Sequence, residues 1–145
     1  MKWNDMYNYY KNKYSEYLIL YKIGNFYNVI GVDTYVMKYI FDYKIIITNS
    51  IAKVGFPMSN LNKVMDELNK LKINYLTIDK EDGIAKVNYK KRFKDNNYNK
   101  YYINSKSYCD KKDKINIFID LLNQKINDPN FDLIIKSLEE VLNER

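Results

Sequence analysis

Phe26 stands directly after Gly24-Asn25, between two apolar, β-favouring runs, Tyr17-Leu18-Ile19-Leu20 and Val29-Ile30-Gly31-Val32. Such a pattern predicts two strands joined by a tight turn. The ring at the first position after the turn either joins the core or leaves the sheet to meet a partner. A second group is Lys90-Lys91-Arg92 with Phe93 and Lys94, followed by Tyr98, Lys100, Tyr101 and Tyr102. Cations interleaved with aromatics neutralise phosphates and stack unpaired bases; a solvated, lysine-rich loop carries the same pattern. A third group, Asp79, Glu81 and Asp82, gathers carboxylates at a turn, where solvation is the expected state and no metal is assigned. The chain has no His and one cysteine, Cys109, which excludes Ser-His and Cys-His catalytic pairs and an internal disulfide. No Gly-x-x-x-x-Gly-Lys-Ser/Thr loop occurs among its four glycines, Gly24, Gly31, Gly55 and Gly83. No catalytic residue, no enzyme activity and no cofactor are expected.

The elements that must position these residues follow from periodicity. Trp3, Met6, Tyr7, Tyr10 and Tyr14 recur at helical spacing over about residues 3–14. The hairpin comes next, with strands over Leu18–Ile23 and Phe26–Val32. Asp33-Thr34 offers an N-cap for a short helix through Met37, Ile40 and Phe41. Lys44 to Thr48 reads as a strand, Asn49-Ser50 as a turn, and Ile51 to Val54 as a shorter strand that Gly55-Phe56-Pro57 ends. Ser59 is placed as the cap of a helix whose apolar face is Leu61, Val64, Met65, Leu68 and Leu71. Ile73–Ile78 and Ile84–Tyr89 flank a turn at Glu81-Asp82-Gly83. From Lys90 to Lys112 no period stands out and a loop is expected. Two helices close the chain: about 113–126, with Ile115, Phe118, Ile119, Leu122 and Ile126 on one face, and one starting at Asp128-Pro129, with Phe131, Ile135, Leu138 and Leu142. Their stripes pack on each other and the sheet, or alternatively form a homodimer contact.

Strands interleaved with helices give an α/β (α+β) fold, a central mixed sheet flanked by helices with an added C-terminal helical pair. The expected divisions are 1–92 for this domain, 93–112 for a basic, Tyr/Asn-rich loop, and 113–145 for a helical extension packed on the same domain. The net charge of +6 is concentrated: Lys86 to Lys114 holds ten Lys/Arg against three Asp, so that segment is +7 and the remainder −1. The 16 tyrosines, like the abundance of Lys, Asn and Ile, are compatible with an AT-rich coding sequence and carry no function by themselves. No apolar run reaches a membrane-spanning length and the start lacks a signal-peptide core, so a soluble cytoplasmic protein without a membrane partner is expected.

The segment Gly24-Asn25-Phe26-Tyr27-Asn28, between two hydrophobic strands, resembles the Gly-Asp-Phe-Tyr-Glu signature of the amino-terminal, mismatch-recognition domain of MutS DNA mismatch-repair proteins. Tyr10 to Tyr14 and Glu16 to Tyr21 are similar to that family's Tyr/Leu/Lys helix and strand, and Val54-Gly55-Phe56-Pro57 resembles its Ala-Gly-Ile-Pro turn. An amphipathic helix and the strand Tyr75 to Asp79 follow in the family's order, over roughly residues 6–90 in all. The resemblance implies a mixed sheet flanked by helices and a DNA-binding module without ATPase. In the family the Phe wedges between base steps of a kinked or mismatched duplex, and the Glu two residues on bonds the mispaired base. Phe26 matches; Asn28 replaces Glu and Asn25 replaces Asp, which bears on selectivity for mismatches. The expected DNA-binding residues are Phe26, Asn28 and Asn25, together with Lys90, Lys91, Arg92 and Lys94. Double-stranded DNA, mismatched or kinked, is the expected partner, with a repair protein as a further one. The alternative is a protein-interaction or inhibitory module that kept the fold and lost mismatch recognition.

Overall fold

Hydrophobic alternation sets the centre of the fold, which a computed structural model describes for residues 3–144. Strands β1 (Leu18–Ile23) and β2 (Phe26–Ile30) pair antiparallel in the register Tyr21↔Asn28, Lys22↔Tyr27 and Ile23↔Phe26. Gly24 takes a positive φ of 59°, as glycine does at the first central position of a II′ turn, whereas Asn25 does not share it. β3 (Ile46–Thr48) and β4 (Ile51–Pro57) form a second hairpin, closed by Asn49 and Ser50 with φ of 51° and 64°, the I′ pattern. β5 (Tyr75–Glu81) and β6 (Ile84–Lys91) form a third, closed by Asp82-Gly83. The order across the sheet is β3-β4-β2-β1-β5-β6, with β1 and β5 parallel and the other neighbours antiparallel. The expected α+β fold with a central mixed sheet is therefore observed.

Each face of the sheet has its own cover. Leu18, Leu20, Tyr27, Val29, Val54, Phe56 and Tyr75 cluster with Val36 and Met37 of α2 (Asp33–Phe41), Val64 and Leu68 of α3 (Leu61–Leu71), and Tyr98. Ile19, Tyr21, Ile30, Leu76 and Ile78 cluster with Met6 and Tyr10 of α1 (Trp3–Lys13). The side chain of Trp3, expected on that face, lies outside what is described, as do Met1, Lys2 and Arg145.

Several boundaries differ from the sequence reading, each for a physical reason. β4 runs on through Gly55-Phe56-Pro57, because Gly55 and Phe56 pair with Asn28 and Tyr27, and Pro57 takes the strand's last position. Ser59 makes no capping bond: Met58–Asn60 is a 3₁₀ turn, and α3 starts after it. Asp33 is no cap either. Its carboxylate is buried and accepts from Lys11 Nζ (2.8 Å), Tyr98 Oη (2.5 Å) and the Ile19 amide (3.2 Å). Lys11 Nζ also donates to the Tyr17 carbonyl (2.7 Å) and to Tyr98 Oη (2.9 Å). One buried ion pair thus joins α1, β1 and α2 to Tyr98.

The largest correction lies beyond Lys91. The expected loop over 93–112 is a short bonded connection followed by one long helix, α4 (Tyr98–Gln124). Asn74 Oδ1 accepts from the Phe93 amide, and Asn96 Oδ1 accepts from the Asn74 and Tyr98 amides. Asn97 Nδ2 donates to the Leu71 carbonyl. Tyr98, Ser105 and Cys109 are buried, with Tyr101 and Tyr102 packed beside the core. The helix extends through the region expected as a separate helix over 113–126.

By contacts the chain divides into two compact units, Met1–Cys109 and Asp110–Arg145. The second holds the last turns of α4 and α5 (Phe131–Leu142), which begins three residues after the expected cap Asp128. Asp128 instead turns the chain, accepting from the amides of Asn130 (2.8 Å) and Phe131 (3.0 Å). Among the described residues no helix is long and apolar enough to cross a membrane.

Candidate nucleic-acid interface

The β1–β2 turn sets Phe26 at the end of the sheet. Its pairing with Ile23 on one side and Pro57 on the other fixes the strand beneath it, yet 52% of the residue is exposed, against 5% for Tyr27 beside it. The Met58 amide donates to the Asn25 carbonyl (2.8 Å), which ties the 3₁₀ turn to the hairpin tip. Met58 is itself 42% exposed, so an apolar residue of each turn stands in solvent at the same end of the sheet. The sequence reading passed over Met58. The visible signal was an apolar residue directly after a strand-ending proline.

Asn28 lies two residues on and is buried at 5% exposure, paired with Tyr21 and Gly55. A Cβ at Gly55 would come within 3.2 Å of Asn28 Oδ1, so the glycine leaves room for the Asn28 amide against β4. Asn25 is exposed at the turn. Burial of Tyr21, the cross-strand neighbour of Asn28, pushes its phenol well above the usual tyrosine range.

The basic residues fall into two places. Lys90 and Lys91 pair with Leu76 and Tyr75, at the end of the sheet remote from the turn. Four residues along β1 and three strand spacings across separate Phe26 from Lys90 by roughly 20 Å. Lys90 Nζ sits 5.8 Å from the Tyr14 ring centre and Lys91 Nζ 5.5 Å from that of Phe93; Arg92 and Lys94 are exposed just beyond. The structure does not bring these four cations together with Phe26. Two other lysines are there instead. Lys22, Ile23, Gly24, Asp79 and Lys80 line one cleft beside the turn, with both lysines exposed. Parallel register explains Lys80: Tyr21 pairs with Ile78, so two residues further along, Ile23 and Lys80 are level. No periodicity in the sequence reveals a neighbour across a parallel pair.

The carboxylates of the third group separate. Glu81 pairs with Lys86, and Asp79 lines the cleft. Among the described residues no group of three or more His, Cys, Asp or Glu converges in a way that would hold a metal ion.

Residues 3–91 match the profile of a protein family described as MutS domain I. A search of the curated proteins found no match.

Proposed function

The chain belongs to the MutS domain I family, and from that premise we propose that it is a DNA-binding module that holds distorted or mismatched duplex through an aromatic wedge. The observation that carries the reading is the exposure of Phe26, 52% on a strand whose next four residues are buried. An apolar ring held by a paired strand replaces base stacking and maintains a kink. A kink costs least where pairing is already broken, and this is the source of selectivity. Met58 supplies a second apolar contact at the same step. Lys22 and Lys80 neutralise the phosphates nearest the wedge, while Lys90, Lys91, Arg92 and Lys94 meet phosphates farther along the duplex.

A second reading has its own support. Asn28 takes the place of the family's base-contacting Glu and is buried. A module that kept the fold, lost mismatch selectivity and binds or inhibits a repair protein fits that burial.

Fluorescence anisotropy against paired, mismatched and single-stranded oligonucleotides separates the two. The DNA reading expects tighter binding to a mismatched duplex and a selective loss in Phe26→Ala. Equal, weak binding to all three, unchanged by Phe26→Ala, supports the interaction module. Salt titration then places the cations: log affinity falls with log salt by about 0.9 per phosphate neutralised. Lys22→Gln with Lys80→Gln is expected to flatten that slope, and an unchanged slope removes the cleft from the interface.

A further inference from the structure

We propose that the second unit, Asp110–Arg145, is a self-association element that pairs with the same unit of a second copy of the chain. This inference is independent of the DNA-binding reading. On α4 the spacing of Ile115, Phe118, Ile119 and Leu122 makes one apolar stripe; on α5 Phe131, Ile134, Ile135, Leu138 and Leu142 make another. None of these residues is buried. Ile115 is 52% exposed, Phe118 46%, Ile119 47% and Leu142 82%, and Ile126, just past α4, is 62% exposed. Among the described residues from 110 to 144 none is buried. Within this unit the two helices half-cover Leu122, Phe131, Ile134, Ile135 and Leu138 but have no third element of their own for the rest of the stripes, and helix-on-helix packing with another such pair is the ordinary remedy.

Charge decides the kind of partner. The unit carries eight acids and six bases, net −2, while the rest of the chain is +8. A polyanion is therefore a poor occupant of this surface. An anionic membrane is too, because a helix that lies on one has a polar face rich in Lys and Arg, whereas α5 carries Asp132, Glu139 and Glu140 against Lys136. A second copy fits better. By helical spacing Lys111, Lys112 and Lys114 border the α4 stripe, and Asp132 and Glu139 border one edge of the α5 stripe. About a two-fold axis, α4 of one copy meets α5 of the other, so a basic flank faces an acidic one twice. The area approaches what a stable pair needs. At roughly 200 Å² for a fully exposed residue of this size, the five exposed positions leave roughly 550–600 Å² of surface. The half-buried Leu122, Phe131, Ile134, Ile135 and Leu138 extend it toward the ~800 Å² that each partner contributes to a stable interface.

Sedimentation equilibrium on the full chain, from micromolar to submillimolar concentration, tests the proposal. The expected result is a mass that rises to twice that of one chain. Phe118→Glu on the stripe is expected to hold the mass at one chain. Ile117→Glu, which helical spacing puts on the opposite side of α4, is expected to leave the dimer intact. Far-ultraviolet circular dichroism checks that each variant keeps its helices. Should Phe118→Glu lose helix, Leu142→Glu replaces it: that side chain is mostly in water, and it is expected to weaken the dimer without unfolding the unit. A parent chain that stays monomeric throughout, or a folded stripe variant that dimerises as the parent does, overturns the proposal.

Discussion

Two parts of one chain handle burial in opposite ways. Residues 1–109 bury two apolar clusters, one on each face of a six-stranded sheet, and contain all 16 tyrosines. Residues 110–145 contain no tyrosine, carry a small negative charge, and bury no described residue. α4 crosses from one regime to the other: Tyr98, Ser105 and Cys109 are buried, whereas Ile115, Phe118 and Ile119 are exposed. The family match ends at residue 91, but the first unit does not. Tyr98 caps the Lys11–Asp33 pair from outside the matched segment, so the domain needs the opening turns of α4. Membership in a family and completeness of a fold are thus different boundaries on this chain.

The largest expected effect that tests this contrast is alkaline unfolding of the first unit. Desolvation raises the pKa of Tyr10, Tyr21, Tyr27 and Tyr98, and pushes Tyr75 up to about 12. Each favours the protonated phenol in the folded state. Below the ordinary tyrosine pKa of about 10 that stability is fully present, and it is lost as pH rises through the folded values. The second unit has no phenol to titrate. Far-ultraviolet circular dichroism between neutral and strongly alkaline pH, with phenolate absorbance followed in parallel, is expected to show loss of the sheet together with phenolate formation. Ionisation of these five phenols around pH 10 while the sheet persists contradicts their assignment to a core.

Next in size is Lys11→Met. Lys11 is 12% and Asp33 2% exposed at the side chain, so removing the ammonium leaves a buried carboxylate with only Tyr98 and one amide. Breaking a buried pair from one side costs about 3–5 kcal/mol. Urea unfolding measures it. A cost under about 1 kcal/mol, the range of exposed pairs, means that the pair is solvated in solution and that α4 is not locked to the sheet through Asp33.

These residues also mark what could be read in advance. The hairpin was legible because Gly24-Asn25 is a local turn signal between alternating strands, and both strands begin at the expected residues. Asp33 was misread because an acid ahead of an apolar run has the form of an N-cap, and its partner Lys11 lies on another element. The second half of α4 was legible from its apolar stripe, but its first half was not, because the buried face there is Tyr98, Tyr101, Tyr102, Ser105 and Cys109: helical in spacing, but too polar to register as an apolar stripe. Asn74, Asn96 and Asn97, which no periodicity marks, make the bonds that end the sheet and start the helix. At the candidate interface, the place of Phe26 after the turn marks it in the sequence, while the nearness of Lys22 and Lys80 to one another required the β1–β5 register.

A smaller effect on stability, with a larger one on binding, is expected of Phe26→Ala. Half exposed, the ring contributes under about 1 kcal/mol to folding, whereas loss of stacking on a base costs about 1–3 kcal/mol of affinity. The loss should be greater on a mismatched duplex than on a paired one. A melting temperature far below the parent's would instead place Phe26 in the core with Tyr27, and the contrast between those neighbours would disappear.

The smallest effect on folding is expected of Leu142→Ala, set against a buried leucine of the first unit. Leu68 is fully buried among α3 and the sheet, and Leu68→Ala is expected to cost about 2–5 kcal/mol. Leu142 is 82% exposed, and Leu142→Ala in dilute solution is expected to change folding by less than about 0.5 kcal/mol. The two values alone would only restate burial; concentration makes the comparison informative. If the second unit pairs with its like, Leu142 is covered in the dimer, and a dimer's apparent stability rises with protein concentration by mass action. The cost of Leu142→Ala should then grow as the chain is concentrated, while that of Leu68→Ala stays the same. Thermal unfolding of both variants across a hundredfold concentration range, about 2.7 kcal/mol of linkage at full occupancy, separates the cases. A Leu142→Ala cost that is flat with concentration takes this leucine out of any interface. It would leave α5 as a helix whose last turn is solvated in every state of the chain.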